Sequence, residues 1–215
     1  MAKKKKKAPN KPSKSTFVIQ LVLIIAIEIF FSMTELGQIY LMPGGIPITL
    51  THLLVIVATL FLGWRSGFLT AFIFALLQLL FLDSTYAANY VLQPHLASQI
   101  LPSLIIQFIP KLILPLAITF VFDFLSGKIG KKTAGAISAF LGTAVYYCLT
   151  LLFIFLFYRD YSIISMGWVN AFIEVAFGTI VGALAVSKVG LTDRKKIDWK
   201  WIFKRRSMDQ KKLKK

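Results

Sequence analysis

One cysteine, two histidines and nine acidic residues serve a chain of 215 residues. The lone Cys148 lies in an apolar run, so neither a disulfide nor a thiolate metal centre can form within one chain. The sequence shows no nucleotide-binding loop, no cluster of metal ligands and no nucleophile with a nearby base. No cofactor is expected, and no enzymatic activity. Charge is scarce as well: charged residues make up 16% of the chain, against about a quarter in soluble domains. What charge there is has one dominant sign, with 25 Lys and Arg against 9 Asp and Glu.

Apolar residues fill the gap. They make up 57% of the chain, and mean hydropathy is +0.72. The apolar runs are long enough to cross roughly 30 Å of hydrocarbon, which predicts an all-α integral membrane protein. The N-terminal MAKKKKKAPNKPSKS has the charge of a signal peptide. The apolar run after it is too long for one, and no small-residue cleavage site follows, so no cleavable signal is expected. The basic residues concentrate in two tails, seven lysines before Thr16 and twelve basic residues from Lys188 to Lys215. Basic tails beside membrane spans set topology and touch anionic lipid headgroups. No stacking or groove-reading module accompanies them, so nucleic acid is not an expected partner. Trp199, Trp201 and Phe203 lie among basic residues in IDWKWIF, the composition of an interfacial helix.

Six spans fit the hydropathy pattern best, at about residues 16–36, 46–63, 67–82, 105–126, 134–158 and 168–188. The second and third are expected to form a tight hairpin joined by Trp64, Arg65 and Ser66. Turn residues mark the other joins: Pro43-Gly44-Gly45, Ser126-Gly127 and Gly167. With both termini cytoplasmic, 23 basic residues fall inside and Arg159 alone falls outside, Lys111 being intramembrane. That asymmetry predicts cytoplasmic termini. The expected organisation is a basic cytoplasmic tail over 1–15, a membrane domain over 16–190, and a second basic tail over 191–215. The expected outer loops, 37–49 and 83–104, are long and almost uncharged, the kind that lids a site.

Polar residues inside the spans collect at one level. The fourth span carries Gln107 and Lys111 in its outer half, the sixth carries Asn170 and Glu174 four apart on one face. Gln78 lies near the outer end of the third span and His52 near that of the second. A charge at such depth costs a few kcal/mol, so it should face a partner or a wet cavity. Lys111 and Glu174 therefore read equally well as a structural ion pair or as ligand contacts, and His52 as a partner of a nearby backbone carbonyl. Glu28 sits mid-span on the first helix with no partner that the sequence names. Pro110 and Pro115 bracket Lys111 and remove two N–H donors from its helix. Small residues at Ala71/Ala75, Gly135/Ala139 and Gly178/Gly182 have the spacing of close helix contacts.

Three segments carry a family resemblance: GGIPITLTHLLVIVATLFLGWRSGFLTAFIFALLQLL (44–80), FIPKLILPLAITFVFDFLSGK and GWVNAFIEVAFGTIVGALAVSK. They resemble the substrate-binding S-components of energy-coupling factor vitamin transporters, and most closely the pantothenate type. The likeness implies a subunit that binds a small vitamin from outside and works with a transmembrane coupling subunit and two cytoplasmic ATPases. It implies ligand contacts at Lys111, Asn170 and Glu174, with Tyr146 where the fifth helix often carries Asn. The helix-four base is Lys111 instead of the usual Arg, and the first helix offers Ala26 followed by Phe30 where Ala-x-x-x-Ala is common. His52, Gln78 and Gln107 complete the expected substrate-binding set. The alternative reading is a non-transporting bacterial membrane scaffold that recruits cytoplasmic partners through its basic tails. It predicts no pocket and no ligand.

Overall fold

The computed structural model describes residues 14–39, 48–81, 100–159 and 161–188. Residues 1–13, 40–47, 82–99, 160 and 189–215 lie outside the described residues, and with them the IDWKWIF stretch, nearly all of both basic tails and most of each expected outer loop.

Six α-helices are found among the described residues: α1 (Lys14–Met33), α2 (Thr51–Leu62), α3 (Trp64–Phe81), α4 (Ile100–Leu125), α5 (Lys131–Tyr158) and α6 (Tyr161–Lys188). By length and composition α1, α4, α5 and α6 can each cross a membrane. The 12-residue α2 rises only about 18 Å, short of the hydrocarbon thickness. Its expected start at residue 46 gives way to a two-stranded antiparallel ribbon, β1 (Gln38–Ile39) with β2 (Ile48–Thr49), in the register Gln38↔Thr49 and Ile39↔Ile48. A short 3-10 turn, Glu35–Gly37, leads from α1 into that ribbon.

Two expected turns move. Trp64, Arg65 and Ser66 do not join α2 to α3; they form the first turn of α3. The join is Gly63 alone, at φ 101°, a conformation that glycine adopts without steric cost. Its N–H donates to the Ala58 carbonyl and its own carbonyl accepts from Gly67, so one residue ends one helix and starts the next. Likewise Gly167 lies inside α6. The chain turns instead at Arg159, whose left-handed φ of 52° closes α5.

The helices pack in a closed circuit, α2 on α3, α3 on α4, α4 on α5, α5 on α6 and α6 back on α2, with α1 lying across α2 and α3. The shortest helix is thus central, and eight of its twelve residues are buried. Val55, Ile56 and Leu60 of α2 meet Phe74 of α3, Leu114 and Ile118 of α4 and Tyr147 of α5 in the main core. The outward faces remain apolar, with Val18, Ile19 and Val22 on α1 and Phe172, Phe177 and Ile180 on α6 exposed. Water would not tolerate such a belt of large side chains. Hydrocarbon does.

At the end away from the ribbon, α5 and α6 touch through the small residues the sequence singles out. A Cβ added at Gly182 would lie 2.4 Å from Ala139 Cβ, and one at Gly135 would lie 2.7 Å from the Gly182 carbonyl oxygen. Backbones that approach this closely align dispersion contacts where no hydrophobic drive separates helix from lipid.

Candidate binding site near the ribbon

The geometry of the polar level starts from β2. Thr49 ends the ribbon two residues before α2, and Leu50 at the helix start offers no side-chain cap. The N–H groups there find other acceptors: Leu50 N–H donates to the Gly37 carbonyl at 2.9 Å, and Thr49 N–H donates to Glu174 Oε1 at 2.5 Å. The Thr49 hydroxyl reaches the same oxygen at 3.4 Å. A carboxylate at a helix N-terminus also sits favourably in the helix dipole. Glu174 of α6 thereby ties the residue just before α2 in place.

His52 closes the triangle. Its Nδ1 meets the Thr49 carbonyl, one turn earlier, and lies 3.1 Å from Glu174 Oε2. With Nδ1–H given to the carbonyl, its approach to Oε2 is electrostatic, which is why that oxygen takes no formal hydrogen bond. The Tyr147 hydroxyl adds a further hydrogen bond to the Glu174 carboxylate. Three separate elements, β2, α2 and α6, are locked together by one fully buried acid. Backbone-carbonyl bonding by His52, one of the sequence expectations, is present alongside the contact with Glu174.

Lys111 lies on α4, 2% exposed. Its Nζ donates to Gln107 Oε1, one turn back on the same helix, and lies 5.0 Å from the centre of the Phe74 ring of α3. It feels the charge of Glu174, yet no ion pair joins the two among the described residues. The structural pair that the sequence offered is not formed: Glu174 is spent on Thr49, His52 and Tyr147. α4 runs unbroken through Pro110 and Pro115. Because proline lacks an N–H, the carbonyls of Ile106 and Lys111 lose their usual helical donors beside the ammonium. An ammonium with three donor positions and one amide partner keeps capacity for an anion.

The remaining expected residues divide. Tyr146, buried on α5, stacks edge-on against Tyr147 with ring centres 5.0 Å apart. Asn170 is buried one turn from Glu174 on α6. Gln78 is buried but lines a different crevice, on the side of α2 that faces α1. Sequence reasoning missed Thr49 and Tyr147. Thr49 stands three residues before His52, the spacing of a helix start, and Tyr147 adjoins a residue already named, so both carried a faint signal.

No family model matches the chain. A protein of Lactococcus lactis subsp. cremoris (strain MG1363) named pantothenic acid transporter PanT is 28% identical over 189 residues, covering 83% of this chain and 89% of the relative. Among solved structures, the S-component for biotin from an ECF-type ABC transporter aligns with a TM-score of 0.52 at 14% identity. That alignment covers 83% of this chain and 90% of the other, and it shows a shared fold. The resemblance read from the sequence is therefore matched by one sequence relative and by a shared fold. With its apolar helices, the chain is a multi-pass membrane protein.

Proposed function

We propose that the chain is the substrate-binding subunit of an ATP-driven vitamin importer of the energy-coupling factor type, and that its vitamin is pantothenate. The observation that carries this reading is Lys111, a buried ammonium held by one neutral amide and no carboxylate. Burying an unpaired charge at membrane depth costs a few kcal/mol. A ligand carboxylate offsets that cost, and pantothenate has one. The relative named as a pantothenic acid transporter supports the same choice.

In this reading Gln107 aims the ammonium at the ligand carboxylate. Lysine is a point charge without the two-pronged geometry of arginine, so orientation must come from neighbours. Asn170 hydrogen-bonds a ligand hydroxyl or amide, and Tyr146 supplies a flat wall. Glu174 stays locked to Thr49, His52 and Tyr147 and does not touch the ligand; it holds the end of the ribbon over the site. The vitamin enters from the extracellular side, six helices sit in the membrane, and both termini are cytoplasmic. The tails 1–15 and 191–215 lie against anionic headgroups. A transmembrane coupling subunit and two ATPases supply the energy, and this chain catalyses nothing itself.

Equilibrium binding of labelled pantothenate to purified protein, with biotin and other vitamins as competitors, tests the proposal. Lys111→Met is expected to weaken binding by about 2–5 kcal/mol while the melting temperature of the ligand-free protein holds or rises. Undiminished affinity in folded Lys111→Met protein would reject the ligand role. Orientation has its own test in a Cys148→Ala background: cysteine at Ser98 labels with an impermeant reagent in intact cells and cysteine at Lys11 does not.

A further inference from the structure

α1 carries Glu28, fully buried, with both carboxylate oxygens making no hydrogen bond among the described residues. One turn along the same face, Ser32 is 8% exposed and its buried hydroxyl is equally unused. Buried polar atoms are satisfied in the great majority of cases, so two neighbours left over on one face call for a partner. α1 packs this face on α2 and α3. Where the three helices meet the ribbon, a narrow crevice is lined by Phe31, Ser32, Gly37, Gln38, Thr51 and Gln78.

The direction of the side chains ties crevice to carboxylate. Helical side chains lean toward the helix N-terminus. α1 and α3 both begin at the end away from the ribbon, so Ser32 and Gln78 lean from the crevice toward the depth of Glu28. Glu28 stands one turn from Ser32, and the crevice beyond it is lined by the Ser32 and Thr51 hydroxyls and the Gln78 amide, so the side-chain acceptors on offer are all oxygen. Hard cations prefer such ligands. A single acid in a low-dielectric setting balances one positive charge, which matches a monovalent ion. The crevice has no room for a free water molecule, which favours a small bare ion.

We propose that Glu28, Ser32, Thr51 and Gln78 form a monovalent cation site between α1, α2 and α3, of sodium size. It is independent of the vitamin reading, and it moves Gln78 from the ligand set to the cation. In detergent, with total salt held constant and choline replaced stepwise by sodium, the melting temperature of the full chain should rise and saturate. Ser32→Ala and Gln78→Leu should each raise the half-saturating sodium concentration about tenfold, the effect of losing one oxygen contact. Glu28→Gln should abolish the response. Ser32→Ala and Gln78→Leu keep the test valid if Glu28→Gln folds poorly. An unchanged melting temperature across the replacement would overturn the site. So would an equal rise with potassium in place of sodium, or a half-saturation that Ser32→Ala and Gln78→Leu both leave unmoved.

Discussion

The two sides of α2 treat a buried acid in opposite ways. On the side facing α6, Glu174 takes hydrogen bonds from Thr49 and Tyr147 and a contact from His52. On the side facing α1, Glu28 has neither oxygen engaged among the described residues. Both acids are fully buried, so burial alone does not separate them. The number of donors aimed at each does. Glu174 is a structural tie that organises the start of α2; Glu28 is a binding group whose partner comes from outside the chain. Adjacent residues Thr51 and His52 point to these two sides, so one short helix divides two kinds of polar site.

The largest expected effect breaks the satisfied side. Glu174→Ala strips the acceptor from the Thr49 N–H and the counterpart from His52, and should destabilise the protein by roughly 3–5 kcal/mol. In sodium-free choline buffer, Glu28→Gln should cost little, because an unpaired buried carboxyl takes up a proton and the substitution exchanges one neutral polar group for another. Unfolding midpoints in detergent for both variants check the contrast directly. Equal losses would erase the distinction between the two acids.

Steric crowding away from either acid gives the next effect. Gly182→Ala places a methyl group 2.4 Å from Ala139 Cβ and should cost about 1–3 kcal/mol through overpacking. Pantothenate affinity should be unchanged, because this contact lies at the end of the bundle remote from Lys111. A loss of affinity with full stability would mean that the α5–α6 seam reports to the site.

How far the sequence exposes this arrangement depends on what kind of information each feature needs. Helix existence needs only composition, and every expected apolar run contains a helix. The level of Lys111, Gln107, Asn170 and Glu174 needs only counting along helices, and they do lie toward the ribbon end. The direction in which Glu174 points needs the facing of α6. A helix apolar on nearly all sides carries little facing information, so the expected Lys111–Glu174 pair could not be told from the contact with β2 that forms. Turn positions were misread for a related reason: Gly167 sits in a helix because tertiary packing overrides its weak propensity, and Arg159 takes a left-handed turn that no residue type announces. Gln78, expected in the substrate-binding set, lines the crevice on the side of α2 that faces α1.

The smallest effect isolates what holds Glu174. Two groups of Thr49 point at one carboxylate oxygen, the N–H at 2.5 Å and the hydroxyl at 3.4 Å. The second distance is at the limit for a hydrogen bond, so the backbone donor should carry the tie. Thr49→Val keeps the side-chain shape and the N–H while deleting the hydroxyl, and should cost less than about 1 kcal/mol. Thr49→Pro removes the N–H itself, and with it the donor that caps the acid, so its cost should approach that of Glu174→Ala. Ribbon pairing complicates proline, since Thr49 is paired with Gln38. Gln38→Pro serves as the control, disturbing the same ribbon without touching the donor. A midpoint for Thr49→Pro well below that of Gln38→Pro, with Thr49→Val near the parent, assigns the tie to the backbone; a large loss in Thr49→Val would assign it to the hydroxyl.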